Sequence, residues 1–331
     1  MKFGAMVLAN LEVDRTVELA RHAEESGFDS FWLNDCDLLY RNPWPILAVV
    51  ARETHYIKLG LCVTNLVTRP LPFIAGMLDS LEEISNGRMV LGIGRGDAAV
   101  HVLGKRPMSP ERFRSSVESL RRLVSGEQIQ YESVSIQSKF TAASKVPIWG
   151  AGYGPQVLKA IGEVCDGFIV QGADSEIVSW AHSLVEDGAR AAGRRMSDVE
   201  LMVAAPSYVG ADLEHGLEQV RWFGGTVVRH LAGLVSKYGG QVPDGIARLG
   251  SVRSADADFG VAEMESAEGA FADISDEIVN RVAIVGPANT HIARLRTLAE
   301  SGVHHYTVYL NHDALEETVD AYARHVIPAL Q

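Results

Sequence analysis

The chain has 331 residues, 47% hydrophobic and 22% charged, with 30 Lys and Arg against 42 Asp and Glu for a formal net charge of −12 at pH 7. This composition excludes disorder and low complexity, and the length suits one large α/β barrel or two smaller domains. The acidic balance argues against a nucleic-acid or anionic-membrane surface, because binding to phosphate backbones rests on clustered Lys and Arg. Cys36, Cys62 and Cys165 lie far apart without CxxC spacing, which points away from a disulfide framework or a zinc site and toward a reducing, cytoplasmic compartment. The apolar stretch 3–9 is short and interrupted by Asn10, Glu12 and Asp14, so it reads neither as a signal peptide nor as a membrane span.

In chain order, a first strand is expected at residues 2–8, and a repeated phrase follows: an amphipathic helix, a Gly stop, then an apolar strand. The phrase occupies 22–33, 79–94, 160–172 and 298–310, and Gly27, Gly87, Gly167 and Gly302 fall where a helix end needs a left-handed residue. Apolar runs at 57–64, 146–151 and 199–209 bring the strand candidates to eight, with both sheet faces buried. Eight parallel strands suggest a TIM (β/α)8 barrel, while a doubly wound sheet has the same local signature. No compositional break or Pro/Ser-rich linker divides the chain, which favours a single closed domain over 1–331 with insertions at about 98–145 and 210–285. The first insertion contains an expected helix at 110–124 and a hairpin within 128–137. The second carries a helix near 213–234, a Gly- and Asp-rich middle at 239–273 and a closing helix at 290–301, and reads as a lid or substrate wall.

Ligands of parallel α/β proteins sit beyond the carboxyl ends of the strands, so the residues that follow each strand are the candidates. Strand 2 runs into Asn34-Asp35-Cys36-Asp37, strand 3 into Thr64-Asn65, strand 4 into Gly92-Ile-Gly-Arg-Gly-Asp97, strand 5 into Gly150-Ala151-Gly152-Tyr153-Gly154-Pro155, and strand 6 into Gln171-Gly172. The strand 5 turn is the sharpest signal. Alternate glycines permit close backbone approach, and Pro155 suits the first position of a helix whose free N–H groups favour a phosphate, although the GxGxG spacing is no Rossmann fingerprint. Asp97 reads either as a hydrogen-bond acceptor for a heterocycle or as a helix cap, with Arg95 a nearby cation. His304 and His305 alternate across a strand and cannot share a metal, His312 lies beyond strand 8, and Cys36 is a nucleophile candidate with no base visible in sequence, where an isolated Cys is more often inert.

The runs 60–69, 80–88 and 90–97, with 151–155, 162–167, 220–223 and 300–303, resemble the luciferase-like oxidoreductases, in particular the branch similar to methylenetetrahydromethanopterin reductase. The resemblance spans nearly the whole chain. It implies a TIM-like barrel that binds coenzyme F-420, a deazaflavin, or in sister branches FMN, with the ring against a strand 3 bulge made by a cis peptide at Cys62–Val63. Thr64, Asn65, Gly94 and Asp97, with Asn34, would contact ring or ribityl chain, and Gly150, Ala151, Gly152, Tyr153, Gly154, Gln171 and Gly172 the phosphate side. Two departures stand out: relatives with Asp-His after strand 2 use the His as acid or base where this chain has Asp35-Cys36, and Tyr153 replaces a frequent Ser. The leading expectation is an F-420-dependent enzyme moving hydride to or from a small-molecule substrate, with Asp35 or Cys36 as catalytic candidates and a homodimeric assembly. The rivals are an FMN-dependent monooxygenase and a non-catalytic flavin-binding protein. Substrate choice would depend on the second insertion and on aromatic surface from Tyr40, Trp44, Trp222 and Phe223.

Overall fold

The computed structural model describes residues 1–252, 271 and 273–331. Most of the Gly- and Asp-rich stretch expected at 239–273 lies outside the described residues. From the amino end, β1 (Lys2–Val7), α1 (Val13–Glu25), β2 (Ser30–Leu33), α2 (Pro43–Glu53), β3 (Lys58–Asn65), α3 (Leu71–Ser85) and β4 (Met89–Gly94) alternate. Then α4 (Ala98–His101), α5 (Pro110–Val124) and the hairpin strands β5 (Ile129–Tyr131) and β6 (Val134–Ile136) precede β7 (Ile148–Ala151). Alternation resumes with α6 (Pro155–Val164), β8 (Gly167–Gln171), α7 (Ser175–Ala191) and β9 (Glu200–Val209). Among the described residues, α8 (Leu213–Tyr238), α9 (Asp244–Gly250), α10 (Asp276–Val282) and α11 (Ala288–Glu300), with β10 (Ile284–Gly286) between the last two, lead to β11 (His305–Tyr309) and α12 (Leu315–Ala321).

The expected barrel is present and closed. Parallel pairing runs β1-β2-β3-β4-β7-β8-β9-β11 and returns from β11 to β1, where Ala5 faces Val308 on one side and Phe31 on the other. The strands are buried on both faces, as helices outside and packed side chains inside require; every residue of β2 and of β4 is buried. Inside, the rings of Trp32 and Trp149 lie 5.7 Å apart. Gly60 makes room for them, since a Cβ there would come within 2.3 Å of the Trp32 ring. Among the described residues, no helix is long and apolar enough to cross a membrane.

Three details differ from the expectation. Gly27, Gly87 and Gly302 hold positive φ after their helices, but Gly167 does not; it opens β8 flat against the Trp149 ring, and α6 stops at Val164 instead. α8 runs a turn further than expected, to Tyr238, and ends at Gly239 with φ of 40°. β10 pairs beyond the barrel ring with the carboxyl end of β9, placing Ile284 opposite Ser207; three residues carry too little pattern to read as a strand. The register of β3 against β4 shifts between Leu61 and Thr64, and the Cys62–Val63 peptide within the shift is cis, as the resemblance implies.

A buried carboxylate fastens the first two helical layers. Glu24, at the end of α1, accepts backbone N–H bonds from His55, Tyr56 and Ile57 at 2.8 to 3.1 Å. Burial opposes its charge, but those donors outweigh burial and hold its pKa below the ordinary glutamate value. Because the folded pKa is lowered, the stabilisation is complete above the unfolded value of about 4.3 and is lost as pH falls through the folded value. Glu24→Gln should therefore destabilise the protein by about 1 to 3 kcal/mol at pH 7 in urea titrations, and the gap from the parent should shrink when the titration is repeated below about pH 4.

Candidate functional site

At the carboxyl ends of the barrel strands lies a cavity of about 670 Å³, within the range of small-molecule and cofactor sites. The barrel supplies its floor and α8 supplies one wall. Asn34, Asp35 and Cys36 after β2, Cys62, Val63, Thr64 and Asn65 of β3, Gly94 and Asp97 at β4, Ala151 ending β7, Gly152, Tyr153 and Gly154 after it, and Gln171 of β8 all line it. Gly150 and Gly172 do not. A Cβ on Gly150 would meet Ile161 and Cys165 of the surrounding core at 2.5 and 3.0 Å, while Gly172 holds a φ of 99°, so packing explains the first glycine and backbone conformation the second. Gly152 and Gly154 differ: a Cβ on Gly152 would press on Val157 in the first turn of α6 at 2.6 Å, and one on Gly154 would meet the Tyr238 ring at 3.2 Å. Pro155 is the first residue of α6, as the sequence leads one to expect, and Gly154 is its N-cap.

The polar strand ends are largely committed to one another. Asp35 accepts from Arg69 Nη2 at 2.7 Å through Oδ1, and from Thr64 Oγ1 at 2.7 Å and Trp44 Nε1 at 3.3 Å through Oδ2. Arg69 also holds Asp37 with both Nη atoms. Asn65 folds the turn after β3 by accepting the N–H groups of Val67 and Thr68, and Asn34 accepts the N–H of Ala9 after β1. Asp35, expected as an acid or base, is thus an ion-paired anchor with both oxygens engaged. Cys36 lines the cavity beside it; burial, with Asp35, Asp37 and Asp97 nearby, pushes its thiol up to about 12, which favours the protonated form at neutral pH.

A second chain of side chains crosses the floor. Tyr153 donates to Gln171 Oε1 at 2.6 Å, Gln171 Nε2 donates to Tyr309 at 3.2 Å, and the Tyr309 hydroxyl lies 3.9 Å from Cys62 Sγ. Burial raises the pKa of both phenols and pushes Cys62 up to about 12, so the chain is neutral. At its outer end the Tyr153 ring stacks on His230 of α8 with centroids 4.7 Å apart, and His230 hydrogen-bonds Asp97. Burial works against the Asp97 charge, yet His230 and His101 hold that carboxyl well below the usual carboxylate range. Asp97 precedes α4, but its side chain makes no capping bond there.

The remaining sequence candidates sit elsewhere. His312 donates toward the Ser207 carbonyl at 3.0 Å, and burial lowers its pKa to about 4, so it is a neutral structural residue. His305 pairs with Glu200 and packs edge-on against Trp149, while His304 accepts the N–H of Leu201 at the opposite end of the barrel. Among the described residues, no group of His, Cys, Asp and Glu is arranged to hold a metal. Tyr40, Trp222 and Phe223 line the cavity, whereas Trp44 is buried behind it. Sequence reading missed Arg69, Tyr309 and the inner face of α8, where Arg229, His230 and Lys237 reach the cavity. The spacing of Trp222, Thr226, His230 and Lys237 along one helical face was the available signal for the last.

The family model described as luciferase-like monooxygenase matches residues 1–305. A 5,10-methylenetetrahydromethanopterin reductase from Methanolobus tindarius is 31% identical over 213 residues, which cover 62% of this chain and 64% of that protein, just under two thirds of its length. An F-420-dependent glucose-6-phosphate dehydrogenase from Amycolatopsis mediterranei is 32% identical over 228 residues, 62% of this chain and 68% of its own. The structure of a coenzyme F-420-dependent tetrahydromethanopterin reductase from Methanopyrus kandleri has the same fold, with a TM-score of 0.82 at 21% identity, covering 100% of this chain and 99% of that one.

If Asp35 anchors Arg69, then Asp35→Asn leaves a guanidinium short of charge in a buried setting and should cost on the order of 3 to 5 kcal/mol. Chemical denaturation of the variant measures this. A loss below about 0.5 kcal/mol, the scatter of ordinary surface changes, would show that the pair is dispensable.

Proposed function

The chain belongs to the luciferase-like monooxygenase family, and from that premise we propose that it is a coenzyme F-420-dependent oxidoreductase moving hydride to or from a small organic substrate. The observation that carries the reading is convergence: the bulge of β3, the end of β4 and the glycine turn before α6 open onto one cavity of suitable volume. The residues present suit such a cofactor. Backbone N–H groups of the 152–154 turn and the first turn of α6, with Arg229 and Lys237 opposite, would hold the phosphate. Cys62, Val63, Thr64 and Gly94 would border the ring, largely through backbone because the Thr64 hydroxyl is spent on Asp35. Bound there, a deazaflavin supplies a carbon that gives or takes hydride and does not readily react with oxygen.

The protein's own residues bind, orient and exclude water. The Asp35–Arg69–Asp37 cluster fixes the loops after β2 and β3, and the neutral Tyr153–Gln171–Tyr309 chain fixes the floor. Tight positioning of a donor and acceptor carbon is the main contribution a barrel of this kind makes to hydride transfer. We further take the enzyme to act in the cytoplasm as a homodimer. Three unbridged buried cysteines support the compartment, and the family resemblance supports the assembly.

Titration of the purified protein with coenzyme F-420 and, separately, with FMN tests the proposal. F-420 should bind at least tenfold more tightly; tighter FMN binding would turn the reading to a flavin monooxygenase, and binding of neither would remove the redox assignment. Gly152→Val should weaken F-420 binding by tenfold or more, about 1.4 kcal/mol, because its side chain displaces Val157 and the turn that faces the phosphate. Equal affinity in a folded variant would locate the phosphate elsewhere.

A further inference from the structure

Reduction of a double bond by hydride leaves an electron pair on the atom that does not receive the hydride, and that atom needs a proton. Most side chains that line the cavity are in no position to give one. Asp35 is ion-paired with both oxygens engaged, and the hydroxyl hydrogen of Thr64 is spent on it. Tyr153 gives its hydrogen to Gln171, and the Tyr309 hydroxyl lies between Gln171 and Cys62 Sγ. Asp97 is held as a carboxylate by His230 and His101. His230 and Arg229 stand beside Tyr153, at the glycine turn assigned above to the coenzyme's phosphate.

Tyr40 is different. It lies in the loop between β2 and α2, lines the cavity and is half-buried. Its hydroxyl makes no hydrogen bond to any described residue, and it is not one of the partnerless oxygens and nitrogens sealed away from solvent, so the O–H is open. The backbone that carries it is pinned on both sides. The Tyr40 N–H donates to the Cys36 carbonyl at 3.2 Å, the Arg41 N–H donates to the Ala9 carbonyl at 2.9 Å, and Arg69 holds Asp37. Within this loop Leu38 keeps a φ of 68°, a left-handed conformation that persists only where neighbours enforce it. Burial, with the Cys36 thiol nearby, pushes the Tyr40 phenol up to about 12, so it carries its proton at neutral pH.

Resting on the coenzyme F-420 reading above, we propose that Tyr40 is a catalytic residue: its hydroxyl hydrogen-bonds the oxygen or nitrogen of the substrate double bond being reduced and passes its proton to that atom. The substrate carbon takes hydride from the reduced deazaflavin, the π electrons of the bond move to the heteroatom, and the heteroatom takes the Tyr40 proton while the O–H electron pair stays on the phenolate. Solvent then returns a proton to the phenolate. The substrate has gained two electrons from the coenzyme and one proton from Tyr40, and oxidation runs each step in reverse. So weak an acid keeps its proton until the heteroatom has become the stronger base, which places proton transfer after hydride transfer.

Calorimetry on the protein loaded anaerobically with reduced coenzyme F-420 tests the proposal. The probes are isobutyramide, whose oxygen is a strong acceptor and whose amide resists reduction, and isobutyrothioamide, of similar shape with a sulfur that accepts poorly. The parent should bind the amide about fivefold or more tightly than the thioamide. Tyr40→Phe, which keeps the ring and loses the donor, should bring that ratio below about twofold, with coenzyme affinity and thermal unfolding at the parent values. Cys36→Ala should keep the parent ratio, because the thiol is the weaker donor. A parent that binds no amide or shows no preference overturns the proposal, and so does a Tyr40→Phe variant that weakens both probes alike, as a purely structural tyrosine would. Loss of the preference in Cys36→Ala alone would move the role to the thiol. Failure of F-420 itself to bind would instead strike the reading on which the proposal rests.

Discussion

One guanidinium holds the front of the barrel mouth together. Arg69 lies in the loop that follows β3, yet it reaches back to Asp35 and Asp37 at the end of β2, and Asp35 in turn grips the hydroxyl of Thr64 just beyond the β3 bulge. Two adjacent strands and two loops are thereby fixed by charges removed from water. Such a cluster is a poor source of net stability compared with apolar packing, but losing one member leaves the others buried and uncompensated. It follows that the bulge, the turn at Asn65 and the wall behind it can hold only one arrangement, and the cavity inherits its shape from that restriction.

The same economy governs the other polar strand ends. Asn34 serves the backbone after β1, Asn65 serves its own turn, and Tyr153, Gln171 and Tyr309 serve each other. A cavity lined by polar residues is therefore less polar than its composition suggests, because most donors and acceptors are already satisfied from within. What a ligand meets is backbone at the bulge and the glycine turn, aromatic faces, and the cations brought by α8.

Much of this was legible in the sequence because it rests on local regularities. Helix, stop and strand recur, and each piece obeys its own period; α5 begins and ends where its apolar spacing says, and Pro155 opens α6 because its fixed φ and missing N–H suit a first turn. The residues that line the cavity were legible through the rule that strand ends face ligands. What escaped was pairing at a distance. Asp35 looks like a free carboxylate until Arg69, more than thirty positions away, is placed beside it. Gly150 looks like part of a ligand loop until Ile161 is seen to need its space, and His230 looks like one more helical residue until α8 is laid over Tyr153. These depend on which elements meet, and no period records that.

The division between floor and wall has a further consequence. The floor is woven into the barrel's hydrogen-bonded ring, so a change there disturbs strand register and the ion-pair cluster together. α8 belongs to a connection between β9 and β11, and its inner face takes no part in that ring. Selection acting on duplicated copies of such a gene meets little resistance in the helix and much in the barrel. Lineages would then be expected to diversify first at the helical positions that face the cavity away from the glycine turn, Trp222, Phe223 and Thr226 among them, while the ancestral framework stays put.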